Sequence, residues 1–255
     1  MRLVLAAALL AIAPLADADT TATSWRVPPP RLAQYTHFTN LEDNASIETP
    51  FVLKFGLTGM GLAPITKAQE HTGHHHLLIN RELPLDFDKP LPFNDQYIHF
   101  GKGQMETVLK LKPGKYTLRL VLADNRHVPD FVYSKPLHVT VTKFHSEINP
   151  DSLSHPGVQI MLPKTEAPVN EALEVEFHAS KTNVSHIALK EPGTGHFKLT
   201  VAGSAGTQVM DMTGGETEVW IAPPRGSYTL KLDFIDNVHP DKVLYSAQPA
   251  AITVK

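Results

Sequence analysis

GKYTLRLVLADNRH at residues 114–127 and GSYTLKLDFIDNVH at residues 226–239 are one stretch written twice, identical at eight of fourteen positions at a constant offset of 112. In the first, Tyr116, Leu118, Leu120 and Leu122 alternate with Thr117, Arg119 and Val121; in the second, Tyr228, Leu230, Leu232 and Phe234 alternate with Thr229, Lys231 and Asp233. A period of two is the mark of a strand with one buried face. Pro113-Gly114 and Arg225-Gly226 supply the turns that precede these strands. At the same offset Gly103 pairs with Gly215 and Glu106 with Glu218, whereas TGHHHLLI (Thr72–Ile79) aligns with TGHFKLTV from Thr194 at an offset of 122. The two offsets imply about ten extra residues in the first copy, between Ile79 and His99.

A repeat of this length is a whole domain and not a solenoid unit. The chain therefore reads as a first domain over residues 34–142, a linker over 143–155 and a second, degenerate copy over 156–255. Short strands, frequent turns and 21 prolines predict an all-β fold, two tandem antiparallel β-sandwiches of immunoglobulin or fibronectin type. Residues 81–96, RELPLDFDKPLPFNDQ, hold three prolines and read as an irregular loop of the length that tends to carry function.

Residues 1–18 have the pattern of a secretory signal peptide: Arg2, an apolar run over 3–15, and a small-x-small site at Ala16-Asp17-Ala18. Residues 19–33, rich in threonine and proline, read as an extended lead-in. No later segment is long and apolar enough to predict a membrane span. The expected location is periplasmic or secreted. A net charge of −3 argues against nucleic acid as a partner. The absence of cysteine excludes disulfides, thiol catalysis and cysteine-based metal sites, and stability must come from apolar burial.

Only the first copy carries a histidine cluster. On a strand His74 and His76 share a face, about 7 Å apart, and His75 takes the other. The second copy has Phe197, Leu199 and Val201 where the first has His75, Leu77 and Ile79, so His75 is expected to face the core or its open end and His74 and His76 to face outward. Two neutral imidazoles on one strand face suit copper or zinc, with further ligands from elsewhere. His99 and His127 are the candidates, and His75 completes the set; His71, Met60 and Met105 are weaker ones. His74 and His127 recur as His196 and His239, while His75, His76 and His99 become Phe197, Lys198 and Asp211, so the second copy is expected to bind no metal. Asp124-Asn125 and Asp236-Asn237 are expected to form Asx turns.

TGHHHLLI, HFGKGQMET and the strand ending in DNRHVP, in that order over roughly residues 51–141, resemble an exported bacterial domain, the domain of unknown function family numbered 4399. The first copy departs from the family pattern at Met105 and at Tyr116, which stands where a histidine is usual. The second keeps Gly195-His196, the run 214–218 and the IDNVHP corner. The resemblance implies an envelope location and a β fold, and supplies no reaction.

Two functions follow as expectations. The first is an exported metal-binding module holding one copper or zinc ion, released as imidazoles protonate below about pH 6. The alternative is a non-catalytic interaction or scaffold module for an envelope protein or polysaccharide, with structural histidines. No nucleophile elbow, His-Glu-x-x-His helix or glycine-rich phosphate loop is present, and the chain is not expected to be an enzyme.

Overall fold

The computed structural model describes residues 24–83, 85–163, 168, 169 and 172–255; the segment read as a signal peptide lies outside them. In the first domain three strands, Tyr35–Phe38, Phe51–Thr58 and Glu106–Leu109, form one sheet in that order. The second sheet runs Ala45–Thr49, Leu137–Phe144, Gly114–Ala123, Thr72–Ile79, Gly61–Leu62, with Pro129–Tyr133 and Tyr97–His99 added to it. The second domain repeats this plan. Gly157–Leu162, Leu173–Ser180 and Glu218–Ile221 make the smaller sheet, and the larger is built on Gly226–Asp236 and Thr194–Gly203. Pairing is antiparallel except for short parallel pairs at the sheet margins, such as Ala45–Thr49 beside Leu137–Phe144. The helical elements among the described residues are two 3-10 turns, Pro150–Ser152 and Ile187–Leu189, and no described helix is long and apolar enough to cross a membrane.

The alternating apolar positions fill the cores as the period-two pattern requires. Leu118 and Leu120 pack with Leu53 and Phe55 from the facing sheet and with Leu77 of their own, and Leu230 and Leu232 pack with Val175, Phe177 and Phe197. The other face differs from expectation in the first copy. Arg119 and Val121 are buried too. Arg119 is held there because its guanidinium donates to the Ser134 carbonyl at 2.8 Å and reaches Glu82, on the inserted loop, at 3.3 Å. The second copy lacks that insertion, and Thr229 and Lys231 stay exposed, although Asp233, the counterpart of Val121, is buried there as well.

The described part of the lead-in is extended and also paired. Arg26–Val27 adds a strand to the outer edge of Glu218–Ile221 in the second domain, and Trp25 is buried there edge-on against Tyr228 at 5.3 Å. Deleting a buried tryptophan costs about 3–5 kcal/mol, so this arm is a fixed part of the second domain.

The domains meet through reciprocal bonds. The amide of Leu62 donates to the Gly215 carbonyl at 2.8 Å, and Val184, its counterpart, donates to Gly103, the counterpart of Gly215, at 3.0 Å. Likewise Ser180 donates its hydroxyl to Glu106 at 3.0 Å and Thr58 donates to Glu218 at 2.9 Å. The two glutamates repeated in the sequence thus tie each copy to the other. Burial, and then the neighbouring Glu174 carboxyl, push the Glu218 pKa up to about 7. A carboxyl raised above its unfolded value contributes stability that is lost as pH rises through 7. From about pH 5 to pH 7 the melting temperature of the wild type is therefore expected to drop relative to that of Glu218→Gln, the difference levelling off above 7. Parallel curves for the two proteins would refute the assignment.

Candidate metal centre

Strand register builds the cluster. Thr72–Ile79 lies between Gly114–Ala123 and Tyr97–His99, with His76 directly opposite His99 and His74 opposite Ala123. One residue beyond Ala123 the chain turns sharply. Asp124 accepts the amides of Arg126 and Val128 at 2.8 and 3.0 Å, the Asx turn expected from the sequence, and the His127 amide donates to the Asp124 carbonyl at 2.9 Å. His127 takes the left-handed conformation, φ 66°, which carries its ring back over His74.

The structure brings His74, His76, His99 and His127 together. One ring nitrogen from each lies within 4.8 Å of all the others. His74 Nε2 is 2.9 Å from His76 Nε2 and 3.2 Å from His127 Nδ1. At metal–nitrogen distances of about 2.0–2.1 Å, tetrahedral donors sit ~3.3 Å apart. The donor set therefore fits a borderline divalent ion such as zinc or copper, with small ring movements and no carboxylate in the group.

His74 and His76 were expected to face outward. They do occupy the face opposite His75, but at 1% and 0% exposure they are buried. The 81–96 loop is the reason: Leu91 is buried and its amide donates to the His127 carbonyl at 2.8 Å, and the Phe93 ring stands 4.9 Å from His127 and 5.2 Å from His99. Phe93 itself is 62% exposed, so it covers the rings from the solvent side. The length of the loop marked it in the sequence, but an irregular loop has no period from which its covering residue could be chosen.

Burial, and then the neighbouring imidazoles, drive the His74 pKa down to about 3 and that of His76 to about 2. His99 is lowered by the same two causes. His74 and His76 are thus neutral at pH 7, with a lone pair on each ring for a metal ion. Two ring nitrogens of the cluster, His76 Nδ1 and His99 Nε2, are buried without a hydrogen-bond partner. Gly101 makes the position of His99 possible: a Cβ there would lie 2.3 Å from its Cε1 and Nε2 atoms. Gly101→Ala is expected to displace His99 and weaken zinc affinity about 10- to 100-fold, the range for loss of a supporting contact. Unchanged affinity in calorimetry would show that His99 is not a donor.

His75 stands outside the group. It is fully buried, with its ring 5.4 Å from Phe55 and the Gln104 and Gly56 backbone beside it. Burial pushes its pKa down to about 4. Met105 is in the apolar core and Met60 packs against it, and neither methionine nor His71 belongs to the four-nitrogen group.

In the second copy Lys198 faces Asp211 across the strands as His76 faces His99. His196 is held on one side by Asp211 at 2.8 Å and on the other by the Asn237 side chain at 2.6 Å. The His239 side chain, 71% exposed, lies near Asp236. A lysine and a histidine held between Asp211 and Asn237 thus occupy the place of the donors, and among the described residues no metal-competent group forms in this domain.

The pattern of the family described as Domain of unknown function (DUF4399) matches residues 53–142 and again 175–255. No curated protein matches the chain. Among solved structures it is similar to the fibronectin(III)-like modules of Clostridium thermocellum CbhA, at 12% identity over 86% of this chain and 92% of that one, with a TM-score of 0.26. It is also similar to a segment of two fibronectin type III domains from chicken tenascin, at 11% identity over 86% and 96%, with a TM-score of 0.23. Scores this low carry no argument, and the sandwich fold rests on the strand pairing described above.

Proposed function

The chain belongs to the DUF4399 family, a domain of unknown function, and we propose that its first domain is a non-catalytic binding module for one copper or zinc ion in an exported, periplasmic protein. One observation carries this reading: four imidazole nitrogens from three separate segments converge within 4.8 Å of one another. Four protein donors fill a tetrahedral sphere and leave no open position for a reacting water, which favours holding an ion over turning over a substrate. Export is supported by the leader pattern of residues 1–18 and suits a histidine-only donor set in a chain without cysteine. Because burial already keeps His74 and His76 neutral far below their ordinary range, binding displaces no proton from either at pH 7. Their own protonation therefore sets no release point near pH 6.

The test is calorimetric titration of the tag-free protein with Zn(II) and with Cu(II) at pH 7. One ion per chain with submicromolar affinity is expected. Absence of binding at micromolar concentration, or a stoichiometry of two, would defeat the proposal.

A further inference from the structure

Duplication allows one edge of the molecule to be read from the other. In the second domain the bond from the Phe177 amide to the Thr217 carbonyl sets the parity of the ladder, so Trp220 and Ala222 turn their backbone groups outward. There they meet the arm: Val27 lies opposite Trp220, and the Ala222 amide donates to the Trp25 carbonyl at 2.8 Å. In the first domain the equivalent bond runs from Phe55 to Met105. Val108 and Lys110, counterparts of Trp220 and Ala222, therefore turn outward on Glu106–Leu109. Among the described residues no strand pairs with this edge.

The seat for the tryptophan is repeated as well. Tyr228 donates its hydroxyl to the Pro224 carbonyl at 2.7 Å, and Tyr116 donates to Lys112, the counterpart of Pro224, at 2.9 Å. Trp25 covers Tyr228, whereas Tyr116 is half-buried and has no aromatic partner among the described residues. Charge separates the two edges. Arg26 of the arm meets Glu216 at 3.3 Å, but the first domain has Gln104 at that position, with exposed Lys102, Lys110, Lys112 and Lys181 around the edge.

We propose that the outer edge of Glu106–Leu109 is a strand-addition site for an extended acidic segment of another protein, anchored by an aromatic side chain on Tyr116. Main-chain bonds to Val108 and Lys110 supply the pairing, as in other edge-strand recognition. The lysines select against this chain's own basic arm. The inference does not depend on metal binding.

Two peptides test it on the full chain: SWRVPPP, the sequence of residues 24–30, and the same peptide with its arginine replaced by glutamate. The acidic peptide is expected to protect the Val108 and Lys110 amides from hydrogen exchange. It should bind several-fold tighter than the basic one at low salt, a preference that collapses at high salt. Replacing its tryptophan by alanine should weaken binding about tenfold. Val108→Pro removes only an outward N–H, a change edge strands tolerate, and should abolish the protection. If that variant fails to fold, an acidic peptide N-methylated at its valine must lose binding to the wild type. The proposal is overturned by absence of protection at millimolar peptide, by protection confined to Trp220 and Ala222, by preference for the basic peptide, or by self-association that protects Val108 without peptide.

Discussion

Stripped of metal with a chelator, the chain is expected to unfold within about two pH units below pH 6. His74, His75 and His76 are buried and held at about 3, 4 and 2, against an ordinary value of 6.5. Below 6.5 the unfolded chain takes up three protons at these positions that the folded chain refuses until far lower pH. A histidine lowered on folding contributes stability that is complete above 6.5 and drains away as pH falls towards its folded value. Each such proton is worth about 1.4 kcal/mol per pH unit, so three together remove roughly 4 kcal/mol per unit. That is a large part of the ~5–15 kcal/mol a domain usually has. His75→Phe isolates one of the three. Phe197 already fills that position in the second copy, with its ring 5.2 Å from Phe177 as His75 is 5.4 Å from Phe55. The variant should melt higher than wild type at pH 5, unfold in acid with about one proton fewer, and bind zinc unchanged. Coincident acid transitions measured by circular dichroism would contradict the buried neutral state of His75.

Replacing His74 and His76 together by alanine is expected to have the largest effect on binding, a loss of zinc affinity of at least about a thousandfold. Two of four donors disappear, and losing even a supporting contact at such sites costs about 10- to 100-fold. His99 and His127 would remain as a half-exposed pair. The same change removes two histidines that resist protonation, so the metal-free double variant should also be less sensitive to acid than wild type. Retained affinity would sink the metal reading, while lost affinity together with unchanged acid behaviour would sink the account of the buried imidazoles.

Much of this was written in alternation. The strand nature of Thr72–Ile79 and the opposite facing of His75 from its neighbours follow from a period of two, and Phe197 in the second copy named the core side. What the period cannot state is what lies over the second face. His74, His76, Arg119 and Val121 all read as outward, and all are buried; Leu91 and Phe93 of the inserted loop cover the histidines, and Glu82 meets Arg119. The pairing of His76 with His99 was equally hidden, since register across an inserted loop depends on its path and not on its composition. His127 was easier to nominate, because its corner is duplicated and an Asx turn fixes its direction. Trp25 gave no sign of its role, as a lone aromatic in a proline-rich stretch has no pattern to place it.

The mutual bonding of the halves, Ser180 to Glu106 and Thr58 to Glu218, has one more implication. Contacts that exchange roles under a half-turn would equally join two separate, identical subunits, and such subunits must carry identical sites. Covalent fusion lifts that constraint while holding the halves at a high effective concentration. One half is then free to keep four imidazoles while the other trades its own for a lysine and an aspartate, an asymmetry closed to any homodimer.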